Sequence, residues 1–417
     1  MISYLSRLIL FSLLVVILLT ATASTARANS GTLFASGIGN PVDSLKSSGR
    51  SPQGNGVLFP AHPAAQPILW AQVNDDGFGS NNKEASSMAL FDGYLYVGTY
   101  YLFSGAEVWR SSDGTAWNQV NTNGFGDVNS TGAPAMAVFS NTLYVGIWNN
   151  ITGVEVWRSA NGTTWNQVNT DGFGDANNKG AYSMAVFSDT LYVGTSNFTT
   201  GAEIWRSPDG AAWSQANSNG FGDVNNGLIN SMAVFGNYLY VGTRNSTSGA
   251  EVWRSSDGAA WSQANADGFG DVNNLIASGM AVFDGYLYVG TYNLFSGAEV
   301  WRSPDGVAWE QANADGFGDV NNGLAHSMSI FGNFLYVGLQ NTSTGAEVWR
   351  SADGAGWEQA NADGFGDATN LGAQSMAVFS NYLYAGTNNI ATGAEVWRTN
   401  GVALSKLYLP LIQRQSP

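Results

Sequence analysis

Leu95-Tyr96-Val97-Gly98 and the following Glu107-Val108-Trp109-Arg110 decide the fold, because both strings return in phase. The first, with small variants, begins again at Leu143, Leu191, Leu239, Leu287, Leu335 and Leu383, always after 48 residues. The second places its Glu at 107, 155, 203, 251, 299, 347 and 395. A further Trp opens another string at 70, 117, 165, 213, 261, 309 and 357, and of the 15 Trp residues Trp148 alone lies outside both series. Self-similarity at such a period marks one supersecondary unit stacked on copies of itself.

Each unit holds four strand-like runs, in the first copy over 87–91, 94–99, 106–111 and 117–120. They are rich in β-branched and aromatic residues and are bounded by Gly, Asn, Asp or Ser. Phe91-Asp92-Gly93-Tyr94 reads as a tight hairpin. Four strands per unit at this period predict an all-β, seven-bladed β-propeller, which removes exposed sheet edges by closing a ring. The last unit lacks a fourth-strand Trp, whereas Trp70-Ala71-Gln72-Val73 has no unit before it. This N-terminal segment is expected to supply the outer strand of the last blade.

Composition narrows the chemistry. The chain has 417 residues, no Cys, two His and a formal net charge of −15. No disulfide, thiolate metal site or Cys nucleophile is possible, and two His cannot form a three-His zinc site. An acidic chain is a poor partner for nucleic acid. With 44% hydrophobic and 13% aromatic residues, most of it should fold.

The N-terminus reads as an address. Arg7 precedes an apolar run over 8–19, and Ala26-Arg27-Ala28 is a small-x-small cleavage site, with Ala21-Thr22-Ala23 as a rival. The run is shorter than the ~20 residues of a membrane span, although an uncleaved anchor is the competing reading. The expected layout is a signal peptide over 1–28, a Gly/Ser/Pro/Ala-rich linker over 29–69, the propeller over 70–400 and a tail over 401–417. The tail's Leu407-Tyr408-Leu409-Pro410-Leu411-Ile412 suits either sorting or packing. A secreted or cell-surface monomer with no membrane span after cleavage is expected.

Ser111-Ser112-Asp113-Gly114-Thr115-Ala116-Trp117 and its five companions resemble the Asp-box of BNR-repeat propellers, Ser-x-Asp-x-Gly-x-x-Trp, shortened by one residue between Asp and Gly. The degenerate copy is Thr399-Asn400-Gly401. The resemblance implies a turn between third and fourth strands, on the face opposite the usual active site. That family contains sialidases as well as non-catalytic secreted propellers.

No catalytic set is legible. A glycosidase needs two unequal carboxylates at one place, which equivalent copies of Glu107 do not provide. Each such Glu is expected to pair with an Arg or a backbone donor of the next blade. The Arg cluster that a sialidase resemblance would require is missing: outside the repeated strand Arg, only Lys83, Lys179 and Arg244 remain within the propeller. His62 falls in the linker and His326 stands alone.

Two other patterns are candidates for binding. The connection Asn265-Ala266-Asp267-Gly268-Phe269-Gly270-Asp271 and its copies offer hard oxygens for Ca²⁺ at Asp171, Asp175, Asp267, Asp271, Asp315, Asp319, Asp363 and Asp367, or else simple Asp-Gly turns. Positions that vary within the repeat form the other. Two residues before each repeated Met stand Ser86, Pro134, Tyr182, Asn230, Ser278, His326 and Gln374. One past each Val-Gly-x stand Tyr100, Trp148, Ser196, Arg244, Tyr292, Gln340 and Asn388. Both series should share the long-loop face near the axis. Tyr100, Trp148, Tyr292 and Tyr182 are candidate aromatic contacts, with Arg244, Asn230, His326 and Gln374 as polar partners, for an extracellular glycan or a surface protein. Drift at exposed positions would produce the same variation. Non-catalytic binding is therefore the leading expectation, against an Asp-box glycoside hydrolase or lyase and a purely adhesive surface protein.

Overall fold

A computed structural model describes residues 68–401. The expected signal peptide, most of the linker and the tail beyond Gly401 lie outside the described residues. Described secondary structure is β-strand plus single 3₁₀ turns, and no described helix is long and apolar enough to cross a membrane.

The strands pair as the repeat predicts. In the first unit β2 (Glu84–Phe91) runs antiparallel to β3 (Tyr94–Tyr100) from Phe91↔Tyr94 to Glu84↔Tyr100, after β1 (Trp70–Gln72) has opened the fold. Asp92 and Gly93 both take positive φ in the connecting turn, as a two-residue hairpin loop requires. β3 pairs with β4 (Val108–Ser111), and β4 with β5 (Asn118–Gln119). The same four-stranded pattern recurs along the chain. Its final copy ends at Val396–Thr399, and β1 pairs there instead of a following strand, with Trp70 opposite Thr399 and Gln72 opposite Trp397. The N-terminal strand is thus the outer strand of the last four-stranded unit. Ile68 packs beside Trp70 against the same core cluster.

Fourth strands are shorter than expected because Trp117 leaves the ladder. Its Nε1 donates to the Val73 carbonyl of the neighbouring unit at 2.8 Å, and every later copy repeats the bond, Trp165 to Val120 at 2.9 Å for example. The shortened Ser-x-Asp-Gly stretch forms the turn between β4 and β5. Asp113 Oδ1 accepts from the Thr115 and Ala116 amides, both at 2.8 Å, and from Ser111 Oγ at 3.0 Å. These donors hold its carboxyl well below the usual range.

The core lies between units. Phe91, Tyr96 and Val108 of one unit cluster with Ala133, Leu143, Val145 and Ile147 of the next. Gly98 closes the Leu-Tyr-Val-Gly string because a Cβ there would stand 2.6 Å from the Ala133 carbonyl oxygen. Ser87 Oγ donates to that same carbonyl at 2.7 Å. Ser375 Oγ makes the equivalent bond to Ala85 at 2.6 Å, joining the last unit to the first.

The connections carry an unexpected strain. Phe125 and its copies hold φ near +60°, a region costly for an aromatic residue. Each ring is clamped by the next unit: Phe125 stacks on Trp157 at 4.7 Å and meets Trp165 edge-on at 5.6 Å. This aromatic contact holds the connection in place against the strain.

A candidate ligand-binding mouth

Residues opposite one another in an antiparallel pair point to the same sheet face. Glu84 faces Tyr100 of its own unit and Asn388 of the last. Tyr100 faces Gly132, which faces Trp148. After Gly180, where only single backbone bonds carry on, pairing resumes at Ser196↔Leu228 and passes through Arg244 and Tyr292 back to Asn388. The variable residues after Val-Gly-x therefore belong to one collar, in which Tyr100, Arg244, Tyr292, Gln340 and Asn388 each link their own first strand to that of the next unit.

The second variable series has a different geometry. Tyr182, Asn230, His326 and Gln374 are each skipped by the ladder: Ala181 and Ser183 are paired but Tyr182 is not, and likewise around the others. They are bulge residues, which re-aim a side chain out of the pleat. Sequence variation located these positions, but a period-2 reading cannot show a bulge.

The aromatic side chains gather on one part of the collar. Tyr100 and Trp148 stack at 5.5 Å and 17°, and Tyr182 tilts against Trp148 at 6.0 Å. Gly132 and Gly180 make room for them: a Cβ on Gly180 would lie 2.8 Å from the Tyr182 ring. Trp148 is oriented by its Nε1 bond to Asn150 Oδ1, 2.8 Å. The Tyr182 hydroxyl feels the charges of Glu84 and Arg244 and its pKa is pushed up, chiefly by burial. Tyr292 stands apart from this trio, with Arg244 as its charged neighbour. The Arg244 guanidinium lies 5.3 Å from the Phe198 ring centroid, beside a cavity of about 240 Å³ lined by both.

Glu84 escaped the sequence reading. It is the one carboxylate at its repeat position, where the other units carry Gly132, Gly180, Leu228, Ile276, Leu324 and Gly372, and that uniqueness was the available signal. Its Oε1 accepts from Asn388 Nδ2 at 2.7 Å, yet burial pushes its pKa up to about 7. Burial pushes His326 down to about 4, keeping it neutral.

The same end of the fold exposes apolar tips. Phe103 and Phe295 are 77% and 76% exposed, and Ile151, Phe198 and Ile390 accompany them in the loops after the second strands. Those loops share a face with the Asp-rich connections, since Asn149 Nδ2 donates to Asp127 Oδ2 at 2.9 Å. A larger groove of about 850 Å³ lies between the first two repeated units, lined by Arg110, Phe125, Trp157 and Trp165 among others. Its Trp N–H groups are already committed to Glu155 and the Val120 carbonyl, so it is framework rather than a prepared site.

One expectation about the repeats is corrected. The repeated Glu does not pair with an Arg or a backbone donor of the next blade. Glu107 Oε2 accepts from Trp109 Nε1 at 2.9 Å and from Asn82 Nδ2 at 2.6 Å, all within one unit; the neutral donors are close enough to satisfy it locally. Asn197, Asn245 and Asn341 close the loops after the second strands. These Asn side chains are fully buried, and each caps its own loop, as Asn197 Oδ1 does for the Thr199 and Thr200 amides at 3.0 Å.

The loop carboxylates are engaged as well. Asp171, Asp267, Asp315 and Asp363 accept from a Gln side chain four residues earlier. Asp175, Asp271, Asp319 and Asp367 cap the backbone amide two residues on. Among the described residues no three His, Asp or Glu side chains converge on a metal-sized space.

Comparison with known proteins supports the architecture. The DUF6242 beta propeller domain model matches residues 160–289, and an LVIVD repeat model matches 322–343. The chain matches no curated protein sequence. Among solved structures, it is similar to the WD40 beta propeller domain of Doa1 (TM-score 0.52, 11% identity, 79% of this chain and 96% of that one). It is also similar to the WD40 repeats of RRP9 (TM-score 0.53, 9% identity, 81% and 99%). A third neighbour is an ancestral GH74 enzyme (TM-score 0.56, 13% identity, 80% of this chain but 49% of that one). The fold is a repeat β-propeller.

Proposed function

We propose that the chain is a secreted, non-catalytic, seven-bladed propeller that binds a glycan at the mouth built by Tyr100, Trp148 and Tyr182. The blade count follows the 48-residue step, with β1 as the outer strand of the seventh blade. One observation carries the functional reading: residues that depart from a near-identical repeat gather at one end, with a half-buried aromatic cluster and Glu84 and Arg244 beside it. Aromatic surface flanked by a few polar groups suits sugar rings. The exposed apolar tips add surface that a solvent-facing framework has no use for. Against hydrolysis, the mouth offers one unusual carboxylate where two are needed.

The test is a glycan array probed with residues 29–417 and with a Trp148→Ala/Tyr182→Ala double variant. Binding that falls at least tenfold in the variant is expected. Absence of binding to every glycan, or binding untouched by the double substitution, would overturn the proposal. Release of sugar from a bound glycan would favour the enzymatic reading instead.

A further inference from the structure

Glu84 stands in a position that asks for a cationic partner, and among the described residues no ion pair reaches it. It opens β2 at the seam where the last unit meets the first. Its hydrogen-bond donors are neutral: Asn388 at 2.7 Å and Ser86 at 3.5 Å. The ion pairs among the described residues are Arg302–Glu310 and Arg350–Glu358, both remote in sequence from this seam. A carboxylate withdrawn from water without a countercharge is costly. The titratable groups that face it are Tyr100 from β3 and Tyr182 from the bulge two units on. Burial keeps both phenols protonated, so they add no charge of either sign. Arg244 acts on Tyr182 and Tyr292.

What surrounds this carboxylate is aromatic. Tyr100 shares its cross-strand pair, and Trp148 and Tyr182 continue the wall. A carboxylate set beside aromatic rings is the chemistry that receives an ammonium group, by charge pairing and by attraction to the ring faces. A net charge of −15 raises the local concentration of cations. We propose that the mouth binds an ammonium-bearing ligand, namely the free amine of an amino sugar, with Glu84 as countercharge and Tyr100, Trp148 and Tyr182 as its aromatic wall. The inference rests on the glycan-binding reading and narrows its ligand to a cationic saccharide. Glu84 is then the residue that sets specificity, distinguishing a free amine from its neutral N-acetyl form.

Calorimetry on the full chain without its first 28 residues tests this with three probes: tetramethylammonium, a glucosamine tetramer and an N-acetylglucosamine tetramer. Tetramethylammonium has no proton to lose, so any pH dependence belongs to the protein. With Glu84 half-ionised near pH 7, its affinity should rise about tenfold between pH 6 and pH 8. Glu84→Gln should abolish that rise and the preference for the free amine, and Glu84→Asp should restore part of it; thermal melts check that both variants fold. Binding of tetramethylammonium without the glucosamine tetramer would overturn the saccharide as the amine's source. Equal binding of both tetramers, insensitive to Glu84→Gln, would overturn the inference and leave glycan binding standing. Failure of all three probes overturns it too, and the glycan array then decides the wider reading separately.

Discussion

At the residue scale the molecule is governed by where polar and apolar groups find partners. Glu84, whose described donors are neutral, illustrates the cost of burying a charge. Its pKa rises on folding from an ordinary 4.5 to about 7. A raised carboxyl pKa means that the native state holds the proton more tightly. Its contribution to stability is therefore fully present below pH ~4.5 and is lost as pH climbs through 7. Glu84→Gln should raise the unfolding free energy at pH 8, by up to about 3 kcal/mol, and leave it nearly unchanged at pH 4. Denaturant titrations at the two pH values would show it, and equal effects at both would exclude Glu84 as the titrating group. Gly162 is a second case. Its φ of +72° and its contact with the Tyr96 hydroxyl leave no room for a side chain. Gly162→Ala should cost about 2–4 kcal/mol, from a strained backbone and a displaced buried ring together. A midpoint shift in urea below 1 kcal/mol would show that Tyr96 moves aside.

At the element scale, strands short enough to be marginal alone are held by their neighbours. β1 has three residues, yet it covers the edge of Val396–Thr399 and carries Trp70, whose Nε1 donates to the Ala360 carbonyl at 2.8 Å. Deleting residues up to 73 should lower the melting temperature by several degrees and expose an unpaired edge that promotes aggregation. Unchanged melting and light scattering would mean that the ring closes without it. The connections depend on the same cross-unit logic. Phe221 stacks on Trp253 at 4.5 Å with the planes 5° apart while holding φ +58°. Phe221→Ala should destabilise by about 2–3 kcal/mol, less than a fully buried Phe because the ring is only partly buried. Near-neutral behaviour in a thermal melt would mean that the clamp does no more than offset the strain of its own backbone.

At the whole-molecule scale the chain is acidic and sparingly cross-paired. It carries 31 acidic against 16 basic residues, and its loop carboxylates are satisfied by amides rather than by cations. Self-repulsion among them is exposed to solvent and therefore screenable. Raising NaCl from 10 mM to 0.5 M should increase the melting temperature by a few degrees. A fall would show that ion pairs, not repulsion, dominate the surface balance.

The sequence by itself determined the repeat and its strands, because a period-2 apolar pattern, Asp-Gly turns and phased Trp residues are local signals. It determined the use of β1 as well, since a missing Trp at one end and a spare one at the other can be counted. It also singled out Tyr100, Trp148, Tyr182 and Arg244, because departure from a strict repeat is visible without coordinates. Tertiary structure alone decided what those residues do together. Two of the aromatics stack, with the third tilted against them, because Gly132 and Gly180 leave space, whereas Tyr292 keeps company with Arg244. The ring contacts of Trp148 with Tyr100 and Tyr182 and the seam bond of Glu84 with Asn388 depend on distances between units. Such distances are set by how one sheet packs on the next, and nothing in a single repeat's spacing encodes them.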